Sequence, residues 1–291
     1  EEIELPAAPG QVGVFHGGIP LRPEPGGSGD GILAARTGDI LTALYRDNAN
    51  DYGNEEEVRD VAALGGLSGS VSGRWMKSGG PYVVTGDLAV DGPDTLVIEP
   101  GVAVAFFPGC ALVVRGVLRA IGAEQDTIAF GPVIAPGMAG ALWPGLTFDP
   151  AEARASLLSY CLIERAEEGC LFRGGLGSRL EHSRIRRCWR LGVAAGGQDE
   201  TDFGLTISSC VIEENAAAQE DGGGLQIARL GSAGDLWVEN TVVTRNFQTG
   251  LDLESGAAAT IRDCEFVSNH GWGIFVDDAV LPGGFSIRDS A

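Results

Sequence analysis

Apolar and polar residues alternate in short runs along the second half of the chain, and these runs recur in register. Each copy is nine residues long, with apolar residues at positions one and six and a small residue at position four. Copies begin at Leu158, Leu180, Ile207, Val238 and Ile261, and an incomplete one begins at Ile287, so the intervals are 22, 27, 31, 23 and 26 residues. Alternation with a period of two predicts β-strands, and a repeat of this length is typical of a solenoid.

The end of each copy predicts a corner. Position nine is Asn215, Asn246 and Asn269 in three copies, and a Gly follows within a few residues. Because Asn tolerates and Gly favours the left-handed backbone region, we interpret each Asn-to-Gly stretch as a turn between two short strands. The insertion from Ala216 to Asp221 falls at such a turn. The pattern therefore predicts an all-β fold, a right-handed parallel β-helix whose like residues stack about 4.8 Å apart.

The first 66 residues lack this repeat and contain short strand-like runs between turns rich in Pro and Gly. The stretch from Gly38 to Gly53, followed by Glu57 to Ala62, resembles the last hairpin of small immunoglobulin-like modules in secreted bacterial proteins. Such a sandwich needs about seven strands and about 100 residues. Residues 1–66 are therefore predicted to form a small, incomplete β-sandwich-like module. Residues 1–10 are either a strand donated to a neighbour or an ordinary frayed terminus.

Residues 67–80 are interpreted as a Gly/Ser linker with an N-terminal cap around Trp75, and residues 81–291 as the β-helix, open at its C-terminal end. The segments Gly73-x-Trp, Pro81-Tyr-x-Val, Thr95-Leu-x-Ile-Glu-Pro-Gly-Val and Trp143-x-Gly-Leu-x-Phe occur in this order. They resemble the opening coils of secreted bacterial right-handed parallel β-helix repeat proteins, the pectate-lyase-like scaffold. The resemblance implies an extracellular or cell-surface protein, in a group that contains polysaccharide lyases, hydrolases, adhesins and surface fibres.

Charge and composition exclude several classes of partner. The net charge of −20 repels nucleic acid and anionic lipid. The sequence has no run of 18 apolar residues, so no membrane span is expected. The chain begins without Met or a secretion signal and ends inside a repeat, so we interpret it as a piece of a longer protein.

The six cysteines lack the spacing of a zinc site and are expected to be small core residues. Cys161, Cys210 and Cys264 share a column in alternate coils, too far apart for disulfides. A bond between Cys170 and Cys188, in neighbouring coils, stays open.

One column of the repeat offers catalytic candidates. When the copies are aligned by the corner Gly, Arg173, Glu254 and Asp277 fall in one column, with Asp252 close by. Stacked carboxylates could act as an acid/base pair or bind calcium. The alternative is an ordinary solvated face, because acidic residues are frequent in this chain.

The arginines Arg184, Arg186, Arg187 and Arg190 form the one basic cluster of the sequence. They could bind the carboxylates of an acidic polysaccharide. Alternatively they pair across coils, since positions seven and eight alternate between Arg and Glu from copy to copy.

A calcium ion is the one cofactor considered. Its possible ligands are Asp47, Asn50 and Asp51 in the acidic hairpin tip, and the alternative is again a solvated turn.

Two functions follow. The favoured one is a non-catalytic extracellular structural or adhesive surface protein or filament subunit, whose partners are copies of itself or further domains of the same protein. The alternative is a polysaccharide-binding or polysaccharide-degrading β-helix, a lyase or a glycoside hydrolase. A groove with convergent carboxylates, a basic residue and exposed aromatic rings would favour the second, and a flat face of paired charges would favour the first.

Overall fold

The computed structural model describes residues 17–24, 29–47, 56–135, 138, 140–149, 154–196, 203–217, 222–228, 235–254, 259–276 and 285–288. The chain divides into two compact units, residues 1–66 with 135–137 and the remainder. Both are built from β-strands, with one short 3-10 turn at Lys77–Gly79 in the second unit.

The described residues of the first unit form two separate strand pairs. Strands β1 (Leu21–Arg22) and β2 (Leu33–Ala34) pair in parallel. Strands β3 (Ile40–Asp47) and β4 (Glu56–Ala63) form an antiparallel hairpin over their full length. The hairpin lies where the sequence predicts one, and the β-sandwich-like arrangement around it stays a prediction.

The second unit stacks its strands into three parallel columns. The first column contains β6 (Gly73–Trp75), β8 (Thr95–Ile98), β11 (Val117–Ile121), β14 (Leu157–Ser159), β17 (Gly175–Glu181), β20 (Phe203–Ser208), β23 (Asp235–Glu239), β26 (Ala259–Arg262) and β29 (Phe285–Arg288). The second contains β9 (Ala103–Phe106), β12 (Ile128–Pro132), β15 (Cys161–Glu164), β18 (Arg184–Arg186), β21 (Val211–Glu213), β24 (Val242–Thr244) and β27 (Glu265–Val267). The third contains β10 (Leu112–Val114), β13 (Leu146–Phe148), β16 (Glu168–Phe172), β19 (Leu191–Ala195), β22 (Gly223–Ile227), β25 (Thr249–Leu253) and β28 (Ile274–Val276).

One long strand joins two of these columns in the first coil. Strand β7 (Tyr82–Val90) pairs with β9 through its first residues and with β10 through its last. Strand β5 (Leu67–Ser70) pairs with β7 in turn, so the segment expected as linker and cap carries strands β5 and β6. Trp75 in β6 is buried and stacks on Tyr82 at a ring distance of 4.5 Å.

The repeat of the sequence becomes the pairing register of the fold. Ile163 lies opposite Ile185, and Ile185 lies opposite Ile212, so position six of one copy pairs with position six of the next. These side chains have no exposed surface. Every column is parallel, which gives the solenoid-like arrangement of a parallel β-helix that the periodicity predicts.

Aromatic rings fill the core of the early coils. Phe106 stacks on Trp143 at 4.1 Å, and Phe148 stacks on Phe172 at 4.4 Å. The indole Nε1 of Trp143 donates to the carbonyl of Glu164 at 3.0 Å, which satisfies its only polar atom. Like residues thus pack on like residues along the axis.

The corners form differently from the prediction. Residues with left-handed backbone occupy positions three and eight, and the Asn at position nine is not among them. These residues are Tyr160, His182, Ser209, Asn240 and Asp263 at position three, and Arg165, Arg187, Glu214, Arg245 and Ser268 at position eight. Ala216, directly after Asn215, is also left-handed, with φ of 64°. Our assignment of the left-handed conformation to Asn and to the corner Gly was wrong.

The Asn residues at position nine act through their amide groups, since Asn215 and Asn246 are fully buried and bonded to each other. The corner glycines are required by space: a Cβ on Gly224 would lie 2.5 Å from Val243 Cγ1 and 2.7 Å from Asn246 Nδ2. The physical reason is that the corner folds inward onto the Asn column, which leaves no room for a side chain.

All six cysteines are buried, and the bond left open between Cys170 and Cys188 is not formed. Burial raises the pKa of Cys170 well above its ordinary value and the pKa of Cys188 to about 12. They serve as small apolar residues of the core, as the sequence predicts.

Candidate functional site

An open depression of about 440 Å³ lies at the corner between the first and second columns. Tyr160 and His182 occupy position three of adjacent coils, with φ of 50° and 46°. Their rings stack with centroids 4.8 Å apart and planes 8° apart. We call this depression the corner groove; Glu124, Thr127, Leu162, Arg184, Arg186 and Ser209 line it together with the two rings.

Small residues flank the stacked rings along the axis. Ile121 pairs with Ser159, so Gly122 occupies the corner one coil before Tyr160. Glu181 pairs with Ser208, so Ser209 occupies the corner one coil after His182. The two-ring stack is therefore bounded by residues with little or no side chain, and the groove lies beside it.

A network of ion pairs covers the second column next to the groove. Arg186 bonds Glu164 at 2.9 Å, Arg187 bonds Glu214 at 2.8 Å, and Arg184 contacts Glu213 at 3.2 Å. Arg245 also bonds Glu213, whose side chain is only 5% exposed. Four arginines thus share three carboxylates across neighbouring coils.

The pairing between Arg187 and Glu214 affects both groups. The hydrogen bond from Arg187 lowers the pKa of the Glu214 carboxyl, and Glu214 raises the pKa of the Arg187 guanidinium. Both side chains therefore stay charged at neutral pH. Since Arg187 is exposed and Glu214 is only half-buried, the pair fixes geometry more than it adds stability.

The predicted arginine cluster does not act as one surface. Arg184 and Arg186 line the corner groove, whereas Arg187 pairs with Glu214 and Arg190 pairs with Glu168 at 2.9 Å. The cross-coil pairing that positions seven and eight predict is confirmed by Arg186 with Glu164 and by Arg187 with Glu214. The binding of an anionic glycan by these arginines stays a prediction.

The predicted catalytic residues lie far apart along the axis of the solenoid. The main-chain bonds from Arg173 to Phe148, from Gly196 to Phe172, from Ala228 to Ala195 and from Glu254 to Ile227 place these four donor residues in successive coils. Arg173 is therefore three coils, about 14 Å, from Glu254. Glu254 accepts a bond from Gln226 Nε2 at 2.9 Å. Asp252 faces outward beside Gln226, and Asp277 lies outside the described residues.

Neither a metal nor a membrane span is indicated in the described part of the chain. Asn50, Asp51 and the side chain of Asp47 lie outside it, so the calcium prediction stays open. Within the described ranges, no three His, Cys, Asp or Glu side chains lie close enough to hold a metal ion. The described residues also contain no helix with the length and hydropathy to cross a membrane.

Sequence reasoning missed the two stacked rings. Tyr160 and His182 occupy position three of adjacent copies, a position to which we assigned no role. The available signal was a pair of planar side chains in one column, because residues that share a column in a solenoid lie about 4.8 Å apart.

Comparison with known proteins adds no assignment: no family model, no curated protein and no solved structure matches this chain.

Proposed function

We propose that this chain is a non-catalytic structural or adhesive segment of an extracellular surface protein or filament, built on a right-handed parallel β-helix. The observation that supports it is the outer face of the second column, where charged side chains bond one another from coil to coil. A catalytic face would instead direct carboxylates toward a common point.

The interior supports the same role. The amide column of Asn215, Asn246 and Asn269 and the aromatic stacks link each coil to the next. In a solenoid, stability comes from such contacts between neighbouring repeats, so each coil is held by the coils on either side. A net charge of −20 suits surroundings whose cations screen it.

The N-terminal unit enters this proposal as a small immunoglobulin-like module. Self-association or further domains of the same protein would then extend the assembly, with a calcium ion at the acidic hairpin tip as the one cofactor considered.

The test is the mass of the purified chain by light scattering, with electron micrographs of the same sample. We expect oligomers or fibres and no cleavage of acidic or neutral polysaccharides. A stable monomer would contradict the filament role. Cleavage that is lost in Glu254→Gln but kept in Gln226→Ala would contradict the non-catalytic role. Gln226 serves as the control because it donates a bond to Glu254 but carries no carboxyl group of its own.

A second function, polysaccharide binding, is favoured by the corner groove. It combines stacked rings with two arginines on an open surface. Hydrolysis is supported less, because Glu124 is the one carboxylate among the described groove residues and hydrolysis of a glycosidic bond needs two.

A further inference from the structure

We propose that the corner groove binds an anionic sugar unit, with the stacked rings of Tyr160 and His182 as its platform and Arg184 as the cation that recognises the negative group. This goes beyond the scaffold role and does not depend on it. It also makes the second candidate function specific, by naming the site and the chemical class of the ligand.

The first step is the shape of the platform. The rings of Tyr160 and His182 are nearly parallel and stack along the axis of the solenoid. Ser209, in the next coil, has a short side chain, and it lines the groove on the His182 side. A further flat ring can therefore continue the stack over the imidazole. A sugar ring has one or two apolar faces of C–H groups, and aromatic rings pack well against such faces.

The second step is the charge beside the platform. Arg184, Arg186, Arg187 and Arg245 share Glu164, Glu213 and Glu214, so the network has 4 − 3 = 1 positive charge in excess. Arg184 and Arg245 share Glu213, and Arg187 and Arg245 share Glu214, so the excess is spread over three arginines. Of these three, Arg184 lines the groove, and its side chain is 51% exposed.

The third step is the number of N–H donors of Arg184 that the ion pair with Glu213 does not use. A guanidinium carries five N–H donors, and its contact with Glu213 at 3.2 Å uses one nitrogen. The remaining donors can bond two oxygens of a carboxylate or sulfate in the usual forked geometry. The backbone geometry fixes this arrangement, since Arg184 belongs to β18 and its main chain is paired on both sides.

The remaining side chains of the groove can contact the hydroxyl groups at the edge of a sugar ring. Thr127, Ser209 and Glu124 add hydroxyl and carboxylate oxygens at the edges of the groove, and Leu162 adds an apolar side chain beside Arg184. The groove is open to solvent, so a unit within a longer glycan chain can enter it without a free end. A carboxylated and a sulfated glycan share the required chemistry, and the experiment separates them.

The test is isothermal titration calorimetry with three oligosaccharide probes in 0.15 M NaCl: an oligogalacturonate, a heparin-derived sulfated oligosaccharide and a neutral cello-oligosaccharide. We expect at least one anionic probe to bind and the neutral probe not to bind. Arg184→Gln and His182→Asn should each weaken binding about tenfold, the usual loss of a charged bond or a stacked contact. Asn is chosen because it tolerates the left-handed backbone of His182.

The matched control is Arg190→Gln, which also removes an ion-paired arginine of the same coil but lies outside the groove and outside the four-arginine network. It should change affinity less than about twofold, within the usual scatter of a surface substitution. All variants should keep the melting temperature of the parent chain. The proposal is overturned if neither anionic probe binds at millimolar concentration, if the neutral probe binds equally well, or if Arg184→Gln and His182→Asn bind like the parent. None of these results bears on assembly, which the light-scattering experiment tests separately.

Discussion

The buried amide column makes one strong prediction, the effect of Asn246→Ala. Asn246 is fully buried, and its Oδ1 accepts bonds from the main-chain N–H and the Nδ2 of Asn215, both at 3.0 Å. Its Nδ2 donates to the carbonyl of Ile212 at 3.2 Å and to Asn269 Oδ1 at 2.9 Å. Alanine removes all four bonds.

The magnitude follows from which groups lose every partner. The main-chain N–H of Asn215 is left buried without its acceptor, which costs about 1 to 3 kcal/mol. The amide Nδ2 of Asn215 keeps its bond to the carbonyl of Ile185 at 3.3 Å. The three other lost bonds contribute about 0.5 to 1.5 kcal/mol each, so the total is about 2.5 to 7.5 kcal/mol.

The assay is the free energy of unfolding in urea, with hydrogen exchange measured on peptides from β21 and β24. The control is Asn240→Gly, because Asn240 is an exposed asparagine in the same copy and glycine accepts its left-handed backbone without strain. We expect a change below about 1 kcal/mol for the control. If Asn246→Ala costs no more than the control, or if exchange in β21 is unchanged, the amide column does not hold the coils together.

Three further predictions concern the corners, the core and the charged face. Gly224→Ala should destabilise the chain by about 1 to 3 kcal/mol through overpacking, whereas Gly18→Ala, with nothing within 4 Å of its added Cβ, should be neutral in the same urea titration. Burial raises the pKa of the Cys210 thiol from 9.0 to about 12, so the contribution of this thiol to the stability of the fold is complete below pH 9 and is lost as the pH rises toward 12. A thiol reagent at pH 8 should therefore react with Cys210 only after unfolding. Rapid labelling of the folded chain would contradict this. Arg187 lowers the pKa of Glu214 from 4.5, so the contribution of this carboxylate to stability is present above pH 4.5 and disappears at lower pH. In the parent chain the urea midpoint should fall between pH 5 and pH 3, and in Glu214→Gln it should fall less. An equal fall in both chains would refute the pairing with Arg187.

The columns of the fold were predictable because a solenoid converts sequence period into contact. The apolar residues at position six became the buried line through Ile163, Ile185 and Ile212, as alternation requires. The pairing of Arg186 with Glu164 was predictable for the same reason, since neighbouring copies place like positions side by side. Local pattern and global fold agree in these coils, and such agreement makes a fold readable from sequence.

The corner groove was not predictable by the same means. It depends on two stacked rings at one corner and on the short side chain of Ser209 in the next coil. A depression of this kind depends on which side chains three neighbouring coils place side by side. The periodic pattern compares the residue types at one position and does not show such a combination. The predicted catalytic residues failed for a different reason. Arg173 and Glu254 do share a column, but three coils separate them, and an alignment of the copies by the corner Gly does not report that distance.

The amide column also answers a question that the apolar pattern leaves open, which is how the coils keep register. A slip of one residue would turn the apolar side chains outward and is excluded by burial alone. A slip of two residues keeps every apolar side chain inside, so the apolar pattern permits it. Such a slip would separate Asn215 from Asn246 and leave their buried amides unbonded, at a cost of about 1 to 3 kcal/mol for each orphaned group. The polar column therefore selects one register among those that the core allows, and the ion pairs on the outer face, each weak alone, favour the same register from outside.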